Sequence, residues 1–334
     1  MPIQIQGTAK LSSKLWHKDI PLIATRQGYG EGVVLAGQQD ERVVVLCADL
    51  AESTRSDLFK AAFPERYVTL GVAEQALAGV AAGMALQGQV AFIASYAAFS
   101  PGRNWEQIRT LACLQGANVK VIGCHAGVSV GPDGATHQMT EDLALMRVLP
   151  NMVVLVPGDY EEAKKAVLAA VEHEGPVYIR LGREVTPVFT TKNTPFKIGE
   201  ALVLTKGTDV ALVSCGALTF ETLKAAALLE KQGVNAMVIH SPSVKPLDEG
   251  TILKAAKICG AMVSVEEAQI AGGLGGAIAE YLSQNKPIPL ERVGLMDEFG
   301  QSGTPQELLE HYRLTAPHIA KAALRAIRRA KNPA

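Results

Sequence analysis

The run Val43-Val-Val-Leu-Cys-Ala48 is apolar without a break. A strand that shows no polar alternation must be covered on both faces, as strands of parallel sheets are. Helix-like segments and further strand-like runs alternate after it. Strands are predicted at Val90–Ala94, Val119–Cys124, Met152–Val156 and Val177–Leu181, and helices at Thr25–Gln38, Asp142–Leu149 and Asp159–Glu172. Such alternation builds a parallel sheet with helices on both faces. A second block repeats it, with strands at Val210–Ser214, Asn235–Ile239, Ala261–Val265 and near Arg292, and with helices between and after them. At 334 residues the chain has the length of about two domains of ~100–200 residues each. The expected organisation is an arm or short packing segment over residues 1–18, an α/β domain over 19–185, a Thr/Pro/Lys/Asn-rich linker over 186–197 and a smaller α/β domain over 198–334.

One unit inside the first block stands apart. Tyr67–Leu70 is β-rich, breaks at Gly71, and gives way near Ala73 to a helix of small residues reaching Leu86. Ala73, Leu77, Val80, Ala81 and Met84 recur at helical spacing and predict one apolar face. Gly79 and Gly83, four apart, would let another backbone approach closely. Glu74 is the only charge in this setting. Taken alone it suits a helix N-terminus, where an acid complements the dipole.

Composition narrows the classes. Hydrophobic residues make up 48% and charged residues 19%, enough for large cores. A net charge of −1 gives no electrostatic case for nucleic acid or an anionic membrane. The basic residues Lys321, Arg325, Arg328, Arg329 and Lys331 have the spacing of a solvated helix face. Cys47, Cys113, Cys124, Cys215 and Cys259 are odd in number, form no C-x-x-C pair and sit mostly in apolar runs. Buried free thiols in a reducing cytoplasm fit this better than disulfides or zinc. No run approaches ~20 apolar residues, so no membrane span is expected.

Polar candidates gather after predicted strands of the first block: Asp49, Glu74, Tyr96 to Arg103, His125 to His137, and Arg183. That edge is where ligands bind to open parallel sheets. The loop His125–Thr140 is long and Gly-rich and carries two of the seven histidines plus Asp133; long loops in compact domains are usually functional. Singly, each residue has a plainer reading: Asp49 as a helix cap, the histidines as structural, Tyr96 and Phe99 as core, Arg183 as a surface ion pair. Metal chemistry fits poorly, with no H-x-x-x-H and no cysteine cluster. No Gly-x-Ser-x-Gly elbow or dinucleotide fingerprint occurs. Gly272-Gly-Leu-Gly-Gly276 lacks the Lys-Ser/Thr of a P-loop and predicts a tight turn with close packing.

Several segments together resemble one family. Ala48-Asp-Leu, Gly71-Val-Ala-Glu-Gln75, Ser95-Tyr-Ala-Ala-Phe99, His125-Ala-Gly, Gly131-Pro-Asp-Gly-Ala-Thr-His-Gln138 and Val177-Tyr-Ile-Arg-Leu-Gly-Arg183 look like the pyrimidine-binding domain of transketolases. Val244-Lys-Pro-Leu-Asp248, Val265-Glu-Glu267 and Gly272-Gly-Leu-Gly-Gly-Ala277 resemble the transketolase C-terminal domain. The match covers nearly the whole chain in order and is similar to the stand-alone C-terminal half of a split transketolase. The fold it implies is two consecutive open α/β domains: a thiamine-diphosphate pyrimidine-binding domain, then a smaller C-terminal domain. The Gly-Asp-Gly motif of the family's diphosphate-binding half does not occur here. The resemblance therefore implies a separate N-terminal-half subunit that supplies the Mg²⁺ and diphosphate site, and with it a dimer of heterodimers.

The resemblance also implies roles. Glu74 would hydrogen-bond the aminopyrimidine ring nitrogen, a donor role that an apolar setting suits. Phe99, with Tyr96 and Phe92 as further candidates, would stack on the pyrimidine, and Asp49 would lie near the cofactor. Asp133 and His137 would meet the donor's hydroxyls. Arg26, Ser53, His125 and Arg183 would hold a terminal phosphate, for which two guanidinium forks are chemically suited. Arg103 has no counterpart. The activity implied is transfer of a two-carbon ketol unit between phosphosugars. The alternatives are a deoxyxylulose-phosphate-synthase-like or other sugar-specific relative, the beta subunit of a two-oxoacid dehydrogenase, and a non-catalytic scaffold. The Asp133–Gln138 signature and Glu74 speak against the last two.

Overall fold

A computed structural model describes residues 3–332. Among the described residues the strands run in chain order as β1 (Leu22–Ala24), β2 (Val43–Cys47), β3 (Tyr67–Thr69), β4 (Val90–Tyr96), β5 (Val119–Cys124), β6 (Val153–Leu155), β7 (Val177–Arg180), β8 (Val185–Pro187), β9 (Leu202–Val203), β10 (Val210–Ser214), β11 (Ala236–His240), β12 (Ser243–Lys245), β13 (Met262–Gln269) and β14 (Leu290–Leu295). The first sheet is ordered β12-β6-β7-β5-β4-β2-β3 and the second β14-β13-β10-β11-β9. Both are parallel apart from one antiparallel edge strand each, β12 and β9. β1 and β8 form a separate antiparallel ribbon. The architecture is the expected pair of consecutive open α/β units.

Continuous apolar strands produce this because each is covered twice. All five residues of β2 are buried, and so are all five of β10. The helix Thr25–Gln39 lies against Tyr160–Glu172 so closely that a Cβ on Gly28 would sit 2.2 Å from the Tyr160 carbonyl oxygen. Lys120 is buried on β5, and its ammonium donates to the carbonyls of His173 (2.6 Å) and Gly175 (2.7 Å). It thus satisfies acceptors just past the end of the helix Tyr160–Glu172, where cations are favoured. All five cysteines are free and buried. No helix among the described residues is long and apolar enough to cross a membrane.

The structure adds to or corrects the sequence reading in four places. The polar arm is a packing segment: Ile3, Ala9 and Leu15 are buried in the core of the second unit. The connector 186–197 is tied down, with Thr190 donating twice to Asp159 and Lys165 donating to the carbonyls of Thr191 and Thr194. Its hydroxyls, which read as linker composition, serve as hydrogen-bond partners. On the helix Glu74–Leu86 the buried face is Glu74, Leu77, Ala78, Ala81, Ala82 and Ala85, whereas Val80 is 41% exposed. The apolar stripe is wider than the core that receives it. Finally, β12 leaves the second unit and pairs with β6 of the first, joining both units in one sheet.

Candidate active site

Gly71, at φ +66°, ends β3 in a turn that only glycine adopts without strain, and Glu74 opens the following helix. Glu74 is 3% exposed, and among the described residues its carboxylate has no hydrogen-bond or ion-pair partner. Its backbone carbonyl accepts from the amide of Asn104 at 2.9 Å. The same amide reaches Ser100 Oγ at 3.1 Å. Asn104 is fully buried, so the loop that follows β4 is fastened to the first residue of the Glu74 helix. Sequence reasoning missed Asn104, because nothing in an isolated asparagine announces a tertiary hydrogen bond.

That loop brings aromatic rings to the sheet edge. Tyr96 closes β4 and stacks on His125, ring centroids 3.9 Å apart and planes 23° apart. Phe99 lies 6.0 Å from Tyr96, and His137 presents itself edge-on to Phe99 at 5.5 Å and to Tyr96 at 6.2 Å. Tyr96, Phe99, His125 and His137 therefore form one cluster. Phe92 does not join it. It is fully buried in the core with Tyr29, Val45 and Ile122. It shares a face with Tyr96 but lies four residues, about 13 Å, down the strand, so its candidacy as a stacking residue is withdrawn.

The cationic side of the cluster is built by one backbone tie. Gly182 N–H donates to Thr25 Oγ1 at 2.9 Å, fixing the end of β7 against the start of the helix Thr25–Gln39 and so setting Arg26 near Arg183. Arg26 Nη1 donates to the Ser53 carbonyl at 2.7 Å, and its Nε is buried without a partner. Ser53 thus contributes its carbonyl to Arg26. Arg183 Nη1 donates to the Val130 carbonyl at 2.7 Å and lies 3.5 Å from Asp133 Oδ1. Asp133 is exposed and His137 half-buried, with His137 Nδ1 2.9 Å from Thr136 Oγ1.

His125 sits at φ +57° and is 2% exposed, with Nδ1 unpartnered. Burial, and then the positive charge of Arg26, Arg183 and His137, pushes its pKa down to about 3. The unfolded chain takes up this proton near pH 6.5, and the folded chain does not until about pH 3. The stability His125 contributes is thus full above pH 6.5 and is lost progressively as pH falls toward 3. In an NMR titration its ring signals should stay those of neutral imidazole through pH 5; a midpoint near 6.5 would show that the ring is neither buried nor faced by the two guanidinium groups.

Asp49, at φ +59°, lies exposed at the end of β2 on the same edge, and among the described residues no side-chain hydrogen bond or ion pair joins it to the cluster. Arg103 has an exposed side chain, and its backbone N–H donates to the Phe99 carbonyl at 2.9 Å. The Gly272–Gly276 stretch is the close packing its sequence predicts: a Cβ on Gly273 would fall 1.9 Å from a Glu266 carboxylate oxygen. That carboxylate accepts from Leu274 N and Gly275 N at 2.7 and 2.8 Å, and burial raises its pKa to about 7. Among the described residues no three His, Cys, Asp or Glu side chains converge as metal ligands.

Residues 22–188 match the transketolase pyrimidine-binding domain and residues 199–319 the transketolase C-terminal domain. With both domains in order over most of its length, the chain belongs to the transketolase family. Within that family it corresponds to the C-terminal half, and it is similar to C-terminal sections of split transketolases. It is 41% identical over 307 residues to a chain from Methanocaldococcus jannaschii described as a transketolase C-terminal section, covering 91% of this chain and 96% of that one. It is 39% identical over 298 residues to a 6-deoxy-6-sulfo-D-fructose transketolase subunit of Clostridium sp. (strain MSTE9), covering 89% and 92%. A solved split-gene transketolase, an inactive tetramer of beta subunits, superposes with a TM-score of 0.86 at 46% identity, covering 92% of this chain and 99% of that one. Homologues of this kind are transferases, and the family implies thiamine diphosphate.

Proposed function

We propose that this chain is the pyrimidine- and sugar-binding subunit of a two-component transketolase that moves a two-carbon ketol unit between phosphosugars. The observation that carries the reading is the fastening of Glu74 to the aromatic loop through Asn104. It places a buried carboxyl group without a partner beside the loop that presents Tyr96 and Phe99.

These residues fit an aminopyrimidine. Glu74 would hydrogen-bond its ring nitrogen, Phe99 and Tyr96 would offer aromatic faces, and Asp49 would stand nearby. Thiamine diphosphate, when bound, supplies the carbon nucleophile that carries the two-carbon unit. Every other task falls to side chains. Asp133 and His137 would orient the donor's hydroxyls, and the Tyr96–His125 stack would keep water from one wall of the site. Arg26 and Arg183, with His125 and Ser53, would hold the terminal anion far from the reacting carbon. The sequence has no Gly-Asp-Gly motif, so a partner subunit would supply the Mg²⁺ and diphosphate site.

A second reading concerns the anion. The Clostridium relative is named for a sulfonated sugar, and two guanidinium groups accept a sulfonate as readily as a phosphate. Arg183→Ala in the reconstituted enzyme should raise KM for the anionic sugar by about 10–100-fold, since hydrogen bonds to charged groups contribute about 1.5–3 kcal/mol. Hydroxypyruvate, which lacks that group, should be affected much less. Lysine at the position should restore only part of the loss, because a point charge cannot form the bidentate fork. Steady-state kinetics with phosphorylated, sulfonated and unphosphorylated donors decide the matter. Equal losses on all three would make Arg183 structural and remove the case for an anionic sugar.

A further inference from the structure

We propose that Gln138 is a positioning residue through which the C-terminal unit sets the loop that carries Asp133 and His137; the catalytic part of this inference rests on reading that loop as sugar-binding. Gln138 is 4% exposed, and its amide nitrogen lies within hydrogen-bond distance of three carbonyls, Val128 at 3.1 Å, Gly131 at 3.0 Å and Gln301 at 2.9 Å, one of its two hydrogens being shared between two of them. Two of these close the loop on itself. The third belongs to the segment after β14, in the other unit. The Gln138 and His137 backbone N–H groups both point to the Gly134 carbonyl, at 3.1 and 3.0 Å, so any shift of Gln138 is passed directly to His137.

The C-terminal segment behaves as a fixed template. Tyr312 holds the Phe299 carbonyl at 3.0 Å and Gln269 holds that of Glu298 at 2.8 Å. The loop is moulded onto this segment at glycines: a Cβ on Gly134 would lie 2.7 Å from Ser302 Oγ, and one on Gly131 3.2 Å from Pro305 Cδ. At the loop's base, Ser129 N–H donates to Glu267 Oε1, on β13, at 2.7 Å. The second unit therefore grips the loop at its base and near its tip, and Gln138 reaches from the loop to the second unit alongside the Gln269–Thr140 contact.

Gly300 offers a test from outside the site. Its backbone is not in the left-handed region, and a Cβ there would lie 1.8 Å from Gln138 Oε1. That oxygen is the far end of a flexible side chain and has no partner of its own. Gly300→Ala should thus be accommodated by swinging the amide off its three carbonyls. Amide hydrogen exchange on the chain alone should quicken across residues 128–138 and stay unchanged in the helix Glu74–Leu86. In complex with the N-terminal-half subunit, kcat/KM for a ketose phosphate donor should fall by about 10–100-fold, the scale of a small misplacement, with thiamine diphosphate affinity retained. Gln138→Leu should act in the same direction.

Unchanged loop exchange together with kcat/KM within twofold of the parent would overturn the proposal. So would a loss that tracks a fall in Tm and in cofactor affinity, which is what a merely structural residue gives. If the parent complex transfers no ketol unit with any sugar, the functional reading fails. The exchange measurement still decides whether Gln138 couples the two units.

Discussion

Glu74→Gln is expected to lower ketol transfer by about 10²–10⁴-fold, the usual worth of a positioned acid or base, while the chain folds as before. Glutamine keeps the shape and the helix start but cannot act as the acid partner of a ring nitrogen. The carboxyl group it replaces is 3% exposed and has no partner among the described residues. A structural acid at that place would contribute only through the helix dipole, about 0.3–1 kcal/mol. The two roles therefore differ by orders of magnitude in turnover, and only the helix-end role predicts a loss of stability. Turnover of the reconstituted enzyme and thermal melting of the chain, measured side by side, separate them. Near-normal turnover with a clearly lowered Tm would return Glu74 to the role of helix end.

The second large effect concerns the chain by itself. Purified alone, it should bind thiamine diphosphate weakly and transfer no ketol unit; with an N-terminal-half subunit both should be restored, as a dimer of such pairs. Exposed apolar side chains on the helix that Glu74 opens and on its neighbouring segments support this. Val72 is 80% exposed, Val80 41%, Leu86 59% and Leu114 73%. A Cβ on Gly83 would meet nothing within 4 Å. An apolar surface beside a candidate site marks a place where protein docks. Light scattering and activity across a titration with the partner would follow assembly. Full activity from rigorously purified single chain would sink the idea.

Much of this was legible before the structure. Val119–Cys124 and Val210–Ser214 are strands with the predicted ends, because an unbroken apolar stretch between turn signals admits little else. Motif spacing brought out Glu74, Phe99, His125, His137 and Arg183, since each follows a strand of one sheet and parallel strands deliver their ends to one edge. What stayed hidden depends on depth and on distant partners. Alternation assigns Phe92 a face but not its distance below the edge. Helical spacing marks Val80 as apolar without saying whether core or another molecule covers it. Asn104 and Gln138 act through backbone carbonyls, which leave no signature in sequence. The three residues of β12 are too few to read as a strand at all.

That short strand restricts where a chain of this family can be divided between two genes. A cut within 186–197, the stretch whose composition most resembles a boundary, would separate β12 from β6 and leave the first sheet with a bare row of backbone donors and acceptors. Unpaired edges of that kind recruit foreign strands. It would also part Glu162 from His240, two buried groups 2.6 Å apart across the junction. The pyrimidine-binding and C-terminal units thus share an edge strand and a buried pair, and a division between them would have to re-form both contacts between separate chains.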